Sequence, residues 1–103
     1  MIYKGYRNRN GKCVVTVDGR PLPVRLDLVN HSPTGFEWGY GGSGPAQLAL
    51  AILAHHTRDN SIAIEFHQAF KDDVISKFRH DNWELLSSFV ESWLERPLGV
   101  TLR

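Results

Sequence analysis

The feature that most constrains this chain is a glycine-rich segment, residues 36–45, that leads directly into its most apolar stretch, residues 46–53. The segment holds four glycines and ends on Pro45. Proline suits the first turn of a helix because it lacks the N–H that would be unpaired there, and Ser43 or Gly44 suits the N-cap. The pattern therefore predicts a glycine loop that opens a buried helix, from Pro45 to about residue 55.

The start of this predicted helix is a candidate anion-binding site. The first N–H groups of a helix have no partner within it and carry a partial positive charge. The donors would be the backbone N–H groups of residues 42–44 and Ala46, with the Ser43 hydroxyl beside them. A structural interpretation competes, because glycine permits positive φ and close packing. The candidate binding residues of the loop are Trp38, Tyr40, Gly41, Gly42, Ser43, Gly44 and Ala46.

The first thirty residues predict a three-stranded antiparallel meander. Residues 2–7 and 12–17 have strand-like patterns and are separated by Asn10-Gly11, a strong hairpin signal. Residues 22–28 alternate apolar and polar side chains with period two, and a proline within them favours an edge strand. Residues 36–40 are a possible short fourth strand.

Two further helices are expected in the second half. One begins near Ser61 and places its apolar residues on a single stripe: Ala63, Phe66, His67, Phe70 and Val74. The other begins at Asp81, where Asp81-x-x-Glu84 resembles a capping box, and Pro97 closes it. Its predicted buried face consists of Leu86, Phe89, Val90, Trp93 and Leu94. Residues 98–103 are either a frayed tail or a last short strand.

These elements predict an α+β fold in a single domain, 1–103, with the meander packed on about three helices. The single Cys13 excludes an internal disulfide and a cysteine-based zinc site, which fits a bacterial cytoplasm. No apolar run reaches the roughly 18 residues of a membrane span. The chain begins with a strand-like pattern and not a signal peptide, so no membrane association is expected.

Charge is unevenly distributed although the net charge is only +1. Residues 1–30 carry six basic and two acidic side chains, whereas residues 31–103 carry six basic and nine acidic ones. A basic half can attract nucleic acid or an acidic protein, and a solvated sheet face is the competing interpretation. A pI near 8.0 is lower than that of most dedicated DNA binders.

The central segment resembles the signature of a small family of single-domain proteins of unknown function from bacteria, plasmids and phages. The resemblance is carried by the sequence FEWGYGGSGPAQLALAIL at residues 36–53, by the Tyr3-x-Gly-x-Arg7 start and by the helix expected around Trp83. It covers most of the chain. It implies a prokaryotic or mobile-element origin and supplies no activity or catalytic residue.

The motifs for catalysis and cofactor binding are incomplete. No Lys-Ser or Lys-Thr follows the glycines, so the loop is not a Walker A loop, and helices follow it where a dinucleotide fold needs a parallel βαβ unit. Ser43 does not lie in a Gly-x-Ser-x-Gly elbow. The spacing of His55, His56 and His67 matches no metal-binding pattern, so neither a metal nor another cofactor is expected.

Three functions are therefore considered, and an enzyme is not favoured. The first is a binding module, encoded by a phage or mobile element, that contacts a host or defence protein through the glycine loop and exposed Tyr3 or Tyr6. The second is a binder of a phosphate-bearing small molecule, with Arg7, Arg25 or Arg58 as counter-charge. The third is nucleic-acid binding by the basic sheet.

Overall fold

The structure, a computed structural model, describes residues 1–96. The predicted end of the third helix at Pro97 and the tail at 98–103 lie outside these residues. Within them, the α+β fold is confirmed: an antiparallel sheet of four strands packs against three α-helices.

The sheet is formed by β1 (Ile2–Arg7), β2 (Cys13–Val17), β3 (Arg20–Pro21) and β4 (Trp83–Leu86), in the order β3-β2-β1-β4. Each neighbouring pair is antiparallel. Side chains alternate between the two faces of each strand. The inner face carries the buried residues Tyr3, Val15, Val17, Trp83 and Leu85. The outer face carries Lys4, Tyr6, Glu84 and Leu86, all exposed.

The central helix is α1 (Ser43–Thr57), and it begins two residues before the predicted start at Pro45. Its N-cap is Gly42, and not Ser43 or Gly44 as the sequence predicted, and every residue from 44 to 54 is buried. Gln47 is fully buried among these apolar side chains, and its amide bonds only to the backbone of residues 24–32. The helix therefore holds the long loop before it as well as the sheet and α2.

Helix α2 (Asn60–Asp73) confirms the predicted stripe in its main members. Asp59 caps it by accepting bonds from the N–H groups of Ser61 and Ile62. Ala63, His67 and Phe70 are buried. A 3₁₀ turn (Ile75–Lys77) follows, and its buried Ile75 joins the same core.

The third strand is not at residues 22–28, where period-two alternation predicted it. It is limited to Arg20–Pro21, with one further bond from the Leu22 N–H to the Val15 carbonyl. Beyond that point Arg25 has a φ of 60°, which extended strands do not adopt. The Val24 carbonyl accepts a bond from the Gln47 side chain and not from a neighbouring strand.

The fourth strand exists, but it is β4 and not residues 36–40. Helix α3 (Ser87–Leu94) starts six residues later than the capping-box pattern at Asp81 predicted, because residues 83–86 pair with β1. Val90, Trp93 and Leu94 form its buried face, as expected. Leu86 and Phe89 are exposed, which corrects their predicted burial.

Candidate functional site

The glycine loop is packed against the chain itself. A Cβ on Gly44 would lie 2.5 Å from the Cβ of Glu37, and a Cβ on Gly42 would overlap the Tyr40 ring. Gly44 and Ala46 are buried, and the Ala46 N–H already donates to the Gly42 carbonyl. One of the predicted donors to an anion, the Ala46 N–H, is therefore already bonded within the chain. Gly41 and Ser43 are the less enclosed residues of the loop.

Tyr3 is a core residue, which corrects its interpretation as an exposed contact residue. Its side chain is fully buried, and its hydroxyl oxygen is hydrogen-bonded to His55 Nδ1 at 2.9 Å. Burial, with a smaller contribution from Asp18, raises the pKa of Tyr3 to about 12, so the hydroxyl keeps its proton. Tyr6 lies on the opposite face of the sheet and is 46% exposed.

Arg7, at the end of β1, is held by two carboxylates. Its guanidinium donates to Asp81 at 2.8 Å and to Glu37 at 3.0 Å. It also lies over the Trp38 ring, 4.6 Å from the centroid. These contacts raise the pKa of Arg7, chiefly through the hydrogen bond to Glu37. Arg7 therefore fixes three chain segments in place more than it offers an unpaired charge.

Trp38 anchors the segment that precedes β4. It is buried, packs edge-on against Trp83 at 5.6 Å, and its Nε1 donates to the His80 carbonyl at 3.2 Å. Gly39 follows with a φ of 90°, and a Cβ there would lie 2.9 Å from the Phe78 carbonyl oxygen. Glycine is therefore required where these two segments meet. Tyr40, the next residue, is 52% exposed.

Beside Trp38 the two segments leave an open groove of about 610 Å³. It is lined by Arg7, Trp38, Gly39, Ser76, Lys77, Phe78, Arg79 and His80, and so by no carboxylate. We call it the basic groove. Lys77 and Arg79 are exposed and form no salt bridge with any residue of 1–96. The β1–β2 turn, which directly follows Arg7, adds Arg9 and Lys12 at the same end of the sheet.

The other predicted cations lie elsewhere. Arg25 pairs with Asp27 at 3.0 Å, and lines a separate open pocket of about 290 Å³ with His55 and Arg58. The structure therefore does not bring Arg25 or Arg58 to the groove that contains Arg7. Lys77, Arg79 and His80 were missed as candidates. The signal available for them is the run Lys77-Phe-Arg-His80 itself, three basic residues in four.

The comparison with known protein families gives one match. A family model described as a family of unknown function, DUF6166, matches residues 3–96. The chain belongs to this family. Membership in DUF6166 confirms the resemblance to a small family of unknown function, and it assigns no activity. No curated protein and no solved structure matches the chain. Among residues 1–96, no helix is both long and apolar enough to span a membrane.

Proposed function

We propose that this protein is a non-catalytic binding module whose basic groove takes the phosphodiester backbone of a nucleic acid. The observation that supports it is the pair Lys77 and Arg79, two exposed cations without acidic partners in residues 1–96, on the wall of a groove that no carboxylate lines. Phosphate contacts by such side chains supply most of the affinity in nucleic-acid binding that is not sequence-specific.

The shape of the groove favours an extended polyanion over a small nucleotide. Pockets for small ligands enclose most of the ligand and offer it apolar walls. Here Arg7 covers one face of Trp38, and Phe78 is stacked on Trp83 at 4.7 Å. Neither ring is free to hold a base in an enclosed slot. The cations Arg9 and Lys12, in the turn beyond Arg7, can continue the phosphate path along the surface.

The groove offers no set of groups for general acid–base or nucleophilic chemistry. Its one hydroxyl, that of Ser76, donates to the Asp72 carbonyl at 2.9 Å. Arg7 is committed to Glu37 and Asp81. A nucleophile needs a base within hydrogen-bond reach, and no bond between the Ser76 hydroxyl and a histidine is present. Binding without chemistry is therefore the function that this geometry favours.

The test is fluorescence anisotropy with labelled single-stranded and double-stranded oligonucleotides over a salt series. The Lys77→Ala/Arg79→Ala variant should weaken binding and reduce the slope of log K against log salt by about 2, one for each phosphate contact. Arg20→Ala/Arg58→Ala is the matched control. It removes the same charge from exposed residues near the Tyr3 end of the sheet, and should leave the slope nearly unchanged.

Three results would contradict the proposal. No binding to any oligonucleotide at low salt would remove it, because electrostatic affinity is highest there. Equal losses in the two double variants would mean that only net charge matters and that the groove is not the site. If a mononucleotide displaced the labelled oligonucleotide as effectively, per phosphate, as an unlabelled oligonucleotide does, a small ligand would be favoured instead.

A protein partner is the second candidate, and exposed aromatic side chains support it. Tyr40 is 52% exposed beside the glycine loop, and Tyr6 is 46% exposed on the outer sheet face. Aromatic anchors of this kind are common at protein interfaces. Affinity purification from a host cell tests it: a recovered protein should be lost with Tyr40→Ser and kept with Ile64→Ser, which changes a comparably exposed residue of α2.

The cellular context belongs to the same proposal. We infer a bacterial cytoplasm, where Cys13 stays reduced and nucleic acid is abundant. Carriage by a phage or mobile element would fit a small binding protein of this kind. Fractionation of a native host, with detection of the protein in the soluble cytoplasmic fraction, tests the first inference.

A further inference from the structure

His31 and His67 place two imidazole nitrogens opposite each other, away from the basic groove. The Nε2 atoms of the two rings are 2.9 Å apart. His67 is on α2 and is only 5% exposed, whereas His31 belongs to the loop before the glycine segment and is partly exposed. Sequence spacing gave no reason to pair them, since 36 positions separate the two residues.

The tautomer of His67 is determined by its surroundings. Its Nδ1 lies 2.7 Å from the Ile64 carbonyl oxygen and 3.2 Å from that of Ala63. Carbonyl oxygens only accept hydrogen bonds, so Nδ1 carries the proton and Nε2 carries the lone pair. A ring N–H that donates to a backbone carbonyl is the usual outer contact of a metal-binding histidine, because it fixes the ring orientation.

The backbone of His31 is held equally firmly. Its N–H and that of Ser32 both donate to the side-chain oxygen of Gln47, at 2.9 and 3.2 Å. Gln47 is itself fully buried in α1 and donates to the Val24 carbonyl at 2.7 Å. The His31 ring is thus attached to a loop that α1 fixes next to α2. A binding pair preorganised in this way loses little conformational entropy when it takes a ligand.

We propose that His31 and His67 form a two-histidine site for a divalent transition-metal ion such as Zn²⁺. Two zinc-bound nitrogens at a tetrahedral angle are about 3.3 Å apart, so the two nitrogens need to separate by about 0.4 Å. The rings now lie nearly end to end, with centroids 5.1 Å apart, so the partly exposed His31 ring must also tilt until both lone pairs point at one ion. His67 offers its Nε2 lone pair directly. His31 offers its own by moving its proton from Nε2 to Nδ1, which leaves the ring neutral.

The remaining coordination positions are open. Among residues 1–96 no third histidine, cysteine, aspartate or glutamate joins the pair. Water or groups from a bound molecule would have to supply the other two positions of a tetrahedral site.

A variant of Lys71 distinguishes a metal site from a purely structural hydrogen bond between the two rings. It lies one helical turn after His67 on α2, and its ammonium group is 3.3 Å from the Asp72 carboxylate. A cation near the site opposes metal binding, so Lys71→Gln should tighten Zn²⁺ binding by about threefold or more. A structural hydrogen bond between the two rings predicts no such gain.

The experiment is isothermal titration of the metal-free full chain with Zn²⁺. One equivalent should bind, and His31→Asn or His67→Gln should weaken binding by about tenfold or more, because each removes a ligand. His80→Asn, a histidine of the basic groove, is the matched control and should bind as the unaltered protein does.

A second measurement on the unaltered protein guards against variants that fail to fold. Imidazole nitrogen NMR should show Zn²⁺ shifting the Nε2 signals of His31 and His67 together, at one equivalent. A titration that shifts only His55, His56 or His80, or that detects no binding up to millimolar Zn²⁺, overturns the proposal.

Discussion

The glycine loop and the basic groove adjoin each other at Trp38 and Gly39, yet they are opposite in character. The loop is dense with residues that suggest ligand binding, yet Gly44 is packed against Glu37, Gly42 lies against the Tyr40 ring and the Ala46 N–H is already bonded. The groove has no recognisable motif, and it presents Lys77 and Arg79 to solvent without acidic partners in residues 1–96. In this fold the glycines serve close packing, and the capacity to bind lies in charges that the packing leaves unpaired.

The largest stability effect is expected at Gly44, where the glycine loop is packed against Glu37. Gly44→Ala should destabilise the protein by about 2–3 kcal/mol, because its Cβ would clash with the Glu37 Cβ and backbone nitrogen and force a shift. Chemical denaturation measures the loss. Gly41→Ala is the matched control: nothing lies within 4 Å of its Cβ, and the change should cost less than about 0.5 kcal/mol. Similar stabilities for the two variants would contradict the packing role of the loop.

How far the sequence predicts this molecule depends on whether the signal is local. Pro45 and the apolar run located α1, and the stripe around Phe70 located α2, because helix periodicity and end signals lie within one segment. β4 was missed although Trp83 to Leu86 alternate, because Asp81 and Glu84 imitate a helix start. Only pairing with β1, a contact distant in sequence, makes these residues a strand.

The groove shows the same limit. Arg7 was a candidate from the sequence, but the residues that share its groove come from positions 76–80, about seventy residues away in the chain. The alternating segment 22–28 failed for a related reason. The Val24 carbonyl accepts a hydrogen bond from the buried side-chain amide of Gln47. No local sequence pattern indicates that a side chain of α1 takes the place of a neighbouring strand as the hydrogen-bond partner.

Arg7→Lys tests whether Arg7 mainly stabilises the packing around the glycine loop or mainly supplies positive charge to the basic groove. A lysine keeps the charge but cannot reach Glu37 and Asp81 together or stack on Trp38, so the expected destabilisation is about 1 kcal/mol. Arg25→Lys is the control, since Arg25 has a single, exposed carboxylate partner, and should change stability by less than about 0.5 kcal/mol. Equal stabilities of the Arg7→Lys and Arg25→Lys variants would show that the two-carboxylate contact of the Arg7 guanidinium does not stabilise the fold.

The Glu37 carboxylate, which pairs with Arg7, gives a pH test. Burial raises its pKa, but hydrogen bonds from Arg7 and Cys13 outweigh this and hold the pKa below the ordinary 4.5. A lowered folded-state pKa adds stability that is complete above pH 4.5 and is lost as the pH falls through the folded value. Glu37→Gln should therefore cost about 0.5 kcal/mol at pH 6, discounted for partial exposure, and nearly nothing near pH 3. A cost that grows toward acid pH would reverse the assigned sign.

The smallest stability effect is expected where the binding effect is largest. Lys77 and Arg79 are exposed and make no ion pair in residues 1–96, so the Lys77→Ala/Arg79→Ala variant should unfold within about 0.5 kcal/mol of the unaltered protein. Denaturation and oligonucleotide anisotropy on the same preparation check this. A large loss of stability would mean that these side chains hold the fold. Unchanged stability with lost binding would assign binding to the groove and not to the glycine loop. Gly44→Ala should show the opposite: a less stable fold, with the salt dependence of oligonucleotide binding unchanged in the protein that remains folded.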